Sequence, residues 1–201
     1  MEAIKWSEET LNNMLTEPSA ALVEDLKRLE GDIMVLGAGG KMGPDICVLA
    51  KKASVLGGSD RKIYAVSRFS DAAAAERLRS HGVTVIAADL MDANALQALP
   101  DCKNIIYMAG RKFGTNGTEY LTWGMNAWLP CMVVQRFRQS NIVVFSSGNL
   151  YPKVSTASGG ATERVRTVPV GEYCMSCLGR ERAFEYAART MGTRIAIMRL
   201  N

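Results

Sequence analysis

The chain has 201 residues, of which 48% are hydrophobic and 22% charged, with a formal net charge of +4. That balance suits one folded domain and excludes disordered and membrane-spanning classes. The basic residues are scattered rather than blocked, which gives little support to a polyanionic partner; a small phosphate-bearing molecule suffices, and no nucleic acid is expected.

The first twenty residues hold Glu2, Glu8, Glu9 and Glu17, unlike the basic start and apolar centre of a signal peptide. No apolar run reaches the length of a membrane span, so no membrane partner and a cytoplasmic location are expected. Five cysteines without an export signal read as reduced thiols. Cys174 and Cys177 form a C-x-x-C, but His81 is the only histidine and no second pair exists, so no metal site is expected.

In chain order, residues 1–30 read as an N-terminal helical extension: Leu22, Leu26 and Leu29 recur at helical spacing, and Pro18 with Ser19 marks a break and a new start. The period then changes. Short Ile- and Val-rich runs at 32–37, 62–67, 83–88, 104–110, 141–147 and 194–200 predict six strands. Helical stretches at 43–54, 71–80, 92–98, 118–139 and 173–190 separate them. Strands alternating with helices specify an α/β fold with a parallel sheet buried on both faces. A glycine-rich turn after the first strand points to a doubly wound Rossmann sheet in the order 3-2-1-4-5-6, over residues 31–201. The stretch "STASGGAT" at 155–162 reads as a surface loop.

"GAGGKMG" places Gly37, Gly40 and Gly43 at three-residue intervals where strand one hands over to a helix. Glycine there permits a tight turn, approach of backbone N–H groups to a diphosphate, and close helix–sheet packing, so this turn, with Lys41 and Met42, is the candidate dinucleotide cradle. At the end of the second strand an acidic residue would select a ribose 2′-hydroxyl and an arginine a 2′-phosphate. Ser67 followed by Arg68 favours NADP over NAD. Ser146, Ser147, Tyr173, Arg164 and Arg166 each have bland readings, as strand-end, helix-face and solvated loop residues.

Taken together and in order, the motifs of residues 31–201 resemble the extended short-chain dehydrogenases/reductases, the NAD-dependent epimerase/dehydratase family that includes UDP-galactose 4-epimerase. "GAGGKMG" is similar to the family's GxxGxxG. "ADL" puts Asp89, followed by Leu90, at the adenine-contacting aspartate. "MAGRKFG" resembles the segment after strand four, which implies that Ala109 and Gly110 line the cofactor and that Lys112 contacts it. Asn126 in "MNAWLP" matches a structural asparagine. "VVFSSGNLYP" implies Ser147 as the catalytic-position serine, and "PVGEYCMSCLGRERAFEY" implies Tyr173 as general acid/base.

The resemblance departs at one position: the lysine four residues after the tyrosine is Cys177. In the family that lysine bonds the nicotinamide ribose and lowers the tyrosine pKa. An unassisted tyrosine with a pKa of about 10 is a phenolate in roughly one molecule per thousand at pH 7, a handicap of about 4 kcal/mol for a base. Lys112 is the preferred replacement cation. Arg180 is the other, on the same helical face but roughly 10 Å along the axis. As a proton donor, Tyr173 would tolerate a high pKa.

The resemblance implies an NAD(P)-dependent oxidoreductase, epimerase or dehydratase acting on a nucleotide sugar or similar polyhydroxy substrate, and it is compatible with a homodimer. A non-catalytic NAD(P)-binding or sensor protein is the alternative that the lost lysine allows. The chain ends at "IMRLN", where the family continues into its substrate-binding portion, so that portion is expected to be absent.

Overall fold

The computed structural model describes residues 7–112 and 116–200. They fall into two compact units, one formed by residues up to Asp89 with Cys102–Ile105, the other by Leu90–Asp101 and the residues from Ile106 onward. Six strands make one sheet: β1 (Ile33–Leu36), β2 (Ile63–Ser67), β3 (Thr84–Ala87), β4 (Asn104–Tyr107), β5 (Asn141–Ser147) and β6 (Arg194–Leu200). Their order is β3-β2-β1-β4-β5-β6, the predicted doubly wound arrangement.

In the first unit, α1 (Glu8–Leu15) starts at Ser7, whose hydroxyl accepts the Thr10 N–H. The chain breaks at Pro18, and Ser19 caps α2 (Ala20–Arg28) through the Leu22 N–H. The far end of α2 leaves carbonyls that lack intrahelical partners. Buried Arg61 takes up that of Leu26, and its guanidinium also donates to the carbonyls of Leu29 and Gly31 just past the helix. β1 is buried along its whole length and pairs in parallel with β2, Ile33 opposite Ile63. β2 pairs with β3 in the same sense. The helices α3 (Gly43–Leu56) and α4 (Ala72–Ser80) complete this unit; Asp71 caps α4 by accepting from Ala73 and Ala74.

In the second unit, β5 and β6 pair in parallel along seven residues. The alternating burial of β5 brings Ile142, Val144 and Ser146 to one face. Phe184 of α8 (Gly171–Thr190) packs its ring edge-on to Tyr107, with centroids 5.1 Å apart. The short α5 (Ala93–Gln97) lies in the same unit.

One predicted helix is not continuous. The 118–139 stretch divides into α6 (Glu119–Trp123), a π-helical turn at Gly124–Trp128, and α7 (Leu129–Arg136). The cause is Pro130, which has no N–H and whose ring would strike the carbonyl four residues back. That residue is Asn126. Widening the turn removes the conflict, and the Leu129 N–H bonds to the Gly124 carbonyl five residues back. Similarly, β4 ends at Tyr107 rather than at 110, because the chain leaves the sheet to meet the Asn126 side chain.

Candidate active site

The first unit contributes the glycine turn. Gly37 follows β1 with φ +92°, a left-handed conformation that glycine adopts freely, and the N–H groups of Gly37 and Ala38 both reach the Val66 carbonyl. At Gly43 a Cβ would lie 2.3 Å from the Ala38 carbonyl oxygen, so only glycine lets α3 begin this close to the end of β1. Between them, the N–H groups of Gly39, Lys41 and Met42 have no acceptor among the described residues. Exposed, unpaired amides at a helix start suit an anionic group.

Gly39 adds a constraint that the three-residue spacing passes over. A Cβ there would lie 2.6 Å from the Ser67 hydroxyl oxygen, so the turn and the end of β2 touch. Arg68 follows, exposed, and Phe69 sits at φ +48°, a costly conformation for an aromatic residue and one concentrated at functional turns. The Ala88 N–H bonds to the Ser67 carbonyl, which sets exposed Asp89 just beyond β3.

In the second unit Leu90 and Ala109 are buried and Gly110 is exposed. Asn126, fully buried in the π-turn, uses its whole amide. It accepts from the Arg111 N–H at 2.7 Å and from Arg180 Nη2 at 2.8 Å, and donates to the Arg111 carbonyl and to Ser176 Oγ, both at 3.0 Å. This is a clamp that holds the 110–111 turn against α8.

At the carboxyl end of β5 the two serines separate. Buried Ser146 donates to Glu181 Oε1 at 2.6 Å, and that carboxylate takes two further bonds from Arg199, at 2.8 and 2.9 Å. Ser147 accepts the Asn149 N–H at 3.2 Å and hydrogen-bonds the half-buried Tyr173 hydroxyl. That hydroxyl also meets the Cys177 thiol. Ser147 and Tyr173 are thus brought together, whereas Lys112 is exposed.

Burial first, then Cys177, raises the Tyr173 phenol above its ordinary value; Ser147 and the Arg180 charge pull the other way. Burial likewise raises the Cys177 thiol, against Arg180 and the Tyr173 hydrogen bond. Tyr173 therefore holds its proton at neutral pH. Beside Gly148, Asn149 and Cys174 opens a groove of about 1330 Å³, lined by Tyr151, Lys153, Glu163, Arg182 and Arg199 among others. Arg164 and Arg166 do not line it. Cys174 and Cys177 are free thiols.

The family model described as the NAD dependent epimerase/dehydratase family matches residues 33–201. The chain belongs to that family. Among curated proteins no sequence matches. Similar solved structures include UDP-glucuronic acid 4-epimerase from Bacillus cereus in complex with UDP-glucuronic acid and NAD, at 16% identity and TM-score 0.68, covering 84% of this chain and 55% of that one. The UDP-Glc/GlcNAc 4-epimerase of Campylobacter jejuni aligns at 16% identity and TM-score 0.69 (85% and 53%), and Pal from Bacillus thuringiensis at 14% and 0.70 (84% and 55%). These likenesses show the fold, and the chain spans about half the length of those proteins. Among the described residues no helix is long and apolar enough to cross a membrane.

Two features of this family member lie outside the motif reading. One is the Ser146–Glu181–Arg199 network. The other is the seat of Arg180, for which the sequence offers only a charged residue on the tyrosine's face of α8.

Proposed function

We propose that this member of the family transfers hydride between NAD(P) and a carbinol or carbonyl carbon of a nucleotide sugar or related polyhydroxy compound. The observation that carries the reading is the Ser147–Tyr173 hydroxyl pair at the carboxyl end of β5. The fit to a dinucleotide is supported by the acceptor-free amides of Gly39, Lys41 and Met42, which would hold the diphosphate. Arg68 would pair with a 2′-phosphate, which makes NADP the favoured form, and Asp89 would accept from adenine. Leu90, Ala109, Gly110 and Lys112 would line the remainder.

A bound nicotinamide supplies or accepts the hydride. Tyr173 gives its hydroxyl proton to the substrate oxygen as a carbonyl becomes an alcohol, and takes it back in reverse. Ser147 donates a hydrogen bond to the same oxygen and holds it beside the phenol. Because burial and Cys177 favour the protonated phenol, proton donation is the easier direction at neutral pH, and the oxidative direction gains as pH rises. The groove beside Asn149 and Cys174, with its mixed Lys153, Arg182 and Glu163 lining, suits a polyhydroxy substrate carrying phosphate.

The test is incubation with NAD(H) or NADP(H) and a panel of nucleotide sugars, following solvent-independent hydride exchange by mass spectrometry. Wild-type turnover that Tyr173→Phe abolishes at unchanged cofactor affinity is the expected result. Tight cofactor binding with no exchange on any substrate would instead support a binding or sensor protein, the reading that Cys177 allows.

A further inference from the structure

Tyr173, Cys177 and Arg180 lie at i, i+4 and i+7 on α8, one stripe of the helix. Arg180 is 7% exposed. Its Nη1 donates to the Phe145 carbonyl at 2.9 Å and its Nη2 to Asn126 Oδ1 at 2.8 Å, while Nε is buried without a partner. The guanidinium also stands 5.9 Å from the centroid of the Tyr107 ring. Both hydrogen-bond acceptors are neutral. The adjacent carboxylate, Glu181, is 2% exposed and committed to Arg199 and Ser146. No salt bridge to Arg180 is present among the described residues.

A guanidinium bonded only to neutral carbonyls keeps its full charge, and in a poorly polarisable surrounding that charge acts strongly on its neighbours. Space for it is provided by Gly110, where a Cβ would lie 2.3 Å from Nη2. One turn back along the stripe stands Cys177, fully buried and short, so no long side chain competes for the same volume.

We propose that Arg180 is the positioning cation for Tyr173: seated by Gly110, Asn126 and the Phe145 carbonyl, its guanidinium supplies the positive field that position 177 does not. The charge has moved from the residue four after the tyrosine to the residue seven after it. This deepens, and rests on, the reading of Tyr173 as the acid–base group. Consistent with it, the Arg180 charge favours the ionised form of Cys177, second only to burial in its effect, and that of Tyr173, where it is the smallest of the influences. The other titratable or charged groups around the pair are Cys174 and Glu181 on α8 itself, Tyr107 of β4, Cys131 of α7, and Arg199 of β6, paired with Glu181. Ser147 of β5 is the neutral partner.

The test needs no substrate. The Tyr173 titration is read by NMR of tyrosine labelled with carbon-13 at Cζ, in cofactor-free protein, with Tyr173→Phe identifying the signal. Arg180→Met should shift that titration upward, because a positive charge acting on the phenol is lost. Arg180→Lys should recover part of the shift, and Cys177→Lys in the Arg180→Met background should return it to the wild-type value or below. Circular dichroism and melting establish that each variant is folded. An unmoved Tyr173 titration in folded Arg180→Met, or a double variant that titrates like Arg180→Met alone, overturns the proposal. Cofactor affinity and hydride exchange, measured on the same proteins, separate the two readings: loss of the acid–base reading shows as turnover indifferent to Tyr173→Phe, whatever the titration does.

Discussion

Gly43→Ala should loosen the junction between β1 and α3 without altering any polar group. Its Cβ would stand 2.3 Å from the Ala38 carbonyl oxygen and 2.6 Å from Ala38 C and Cα, where non-bonded atoms need about 3.5 Å. The obstruction is backbone, held by the Gly37 and Ala38 bonds to the Val66 carbonyl, so α3 itself must withdraw by about 1 Å. Overpacking of this kind costs roughly 1–3 kcal/mol. Taking about 2 kcal/mol, and about 2–4 °C per kcal/mol for a chain of this size, Tm should fall by roughly 4–8 °C. Gly40→Val is the matched control. Its Cβ would meet only the Gly37 carbonyl oxygen, at 3.6 Å, so Tm should stay within about 2 °C, yet the added methyls would cover the acceptor-free amides. Differential scanning calorimetry reads the stabilities and titration calorimetry the dinucleotide affinity. Equal melting of the two variants, or wild-type affinity in Gly40→Val, would refute the division of labour between these glycines.

Arg68→Ala should weaken NADP about tenfold while changing NAD little, since one charge-assisted bond to the 2′-phosphate is worth about 1.5 kcal/mol; equal losses, or tighter NAD binding by the wild type, would count against Arg68. Burial pushes Cys47 up to about 12 and Cys102 to about 11, whereas both thiols ionise near 9 in the unfolded chain. The unfolded state thus sheds protons first, and stability should fall between about pH 9 and 11 by up to about 1.4 kcal/mol per pH unit for each thiol. Urea midpoints under reductant at pH 8 and 10 check this, and Cys47→Ala should flatten the slope; a flat wild-type profile would refute it. Arg199→Met leaves the Glu181 carboxylate buried without its cation and should cost about 3–5 kcal/mol. Adding Glu181→Gln should restore most of that in urea titrations, and full additivity of the two changes would argue against a buried pair.

The candidate site was legible to the extent that local signals coincide with chain order. The glycine spacing, the serine four residues before Tyr151, and a tyrosine opening a helix are each weak, but they place Ser147 and Tyr173 on consecutive elements whose ends must meet in a parallel sheet. The seats of the two candidate cations were not legible in this way. Lys112 and Arg180 both have suitable charge, and only packing shows that Lys112 is exposed while Arg180 is folded under Gly110.

By itself the sequence determined the six strands, their parallel order and the position of the glycine turn after β1. Those follow from hydrophobic period and glycine placement, which act over a few residues. The hydrophobic pattern read 118–139 as one helix, and the break that Pro130 imposes there is a feature of the folded chain. Tertiary structure decided the rest: that Asn126 in the widened turn would clamp Arg111 and Arg180 together, that Ser146 and Ser147 would serve different partners, and that Glu181 would be spent on Arg199. Hydrogen-bond partners of buried polar groups are chosen among residues distant in the chain, by competition for the few acceptors that packing leaves in reach. No local pattern encodes that competition.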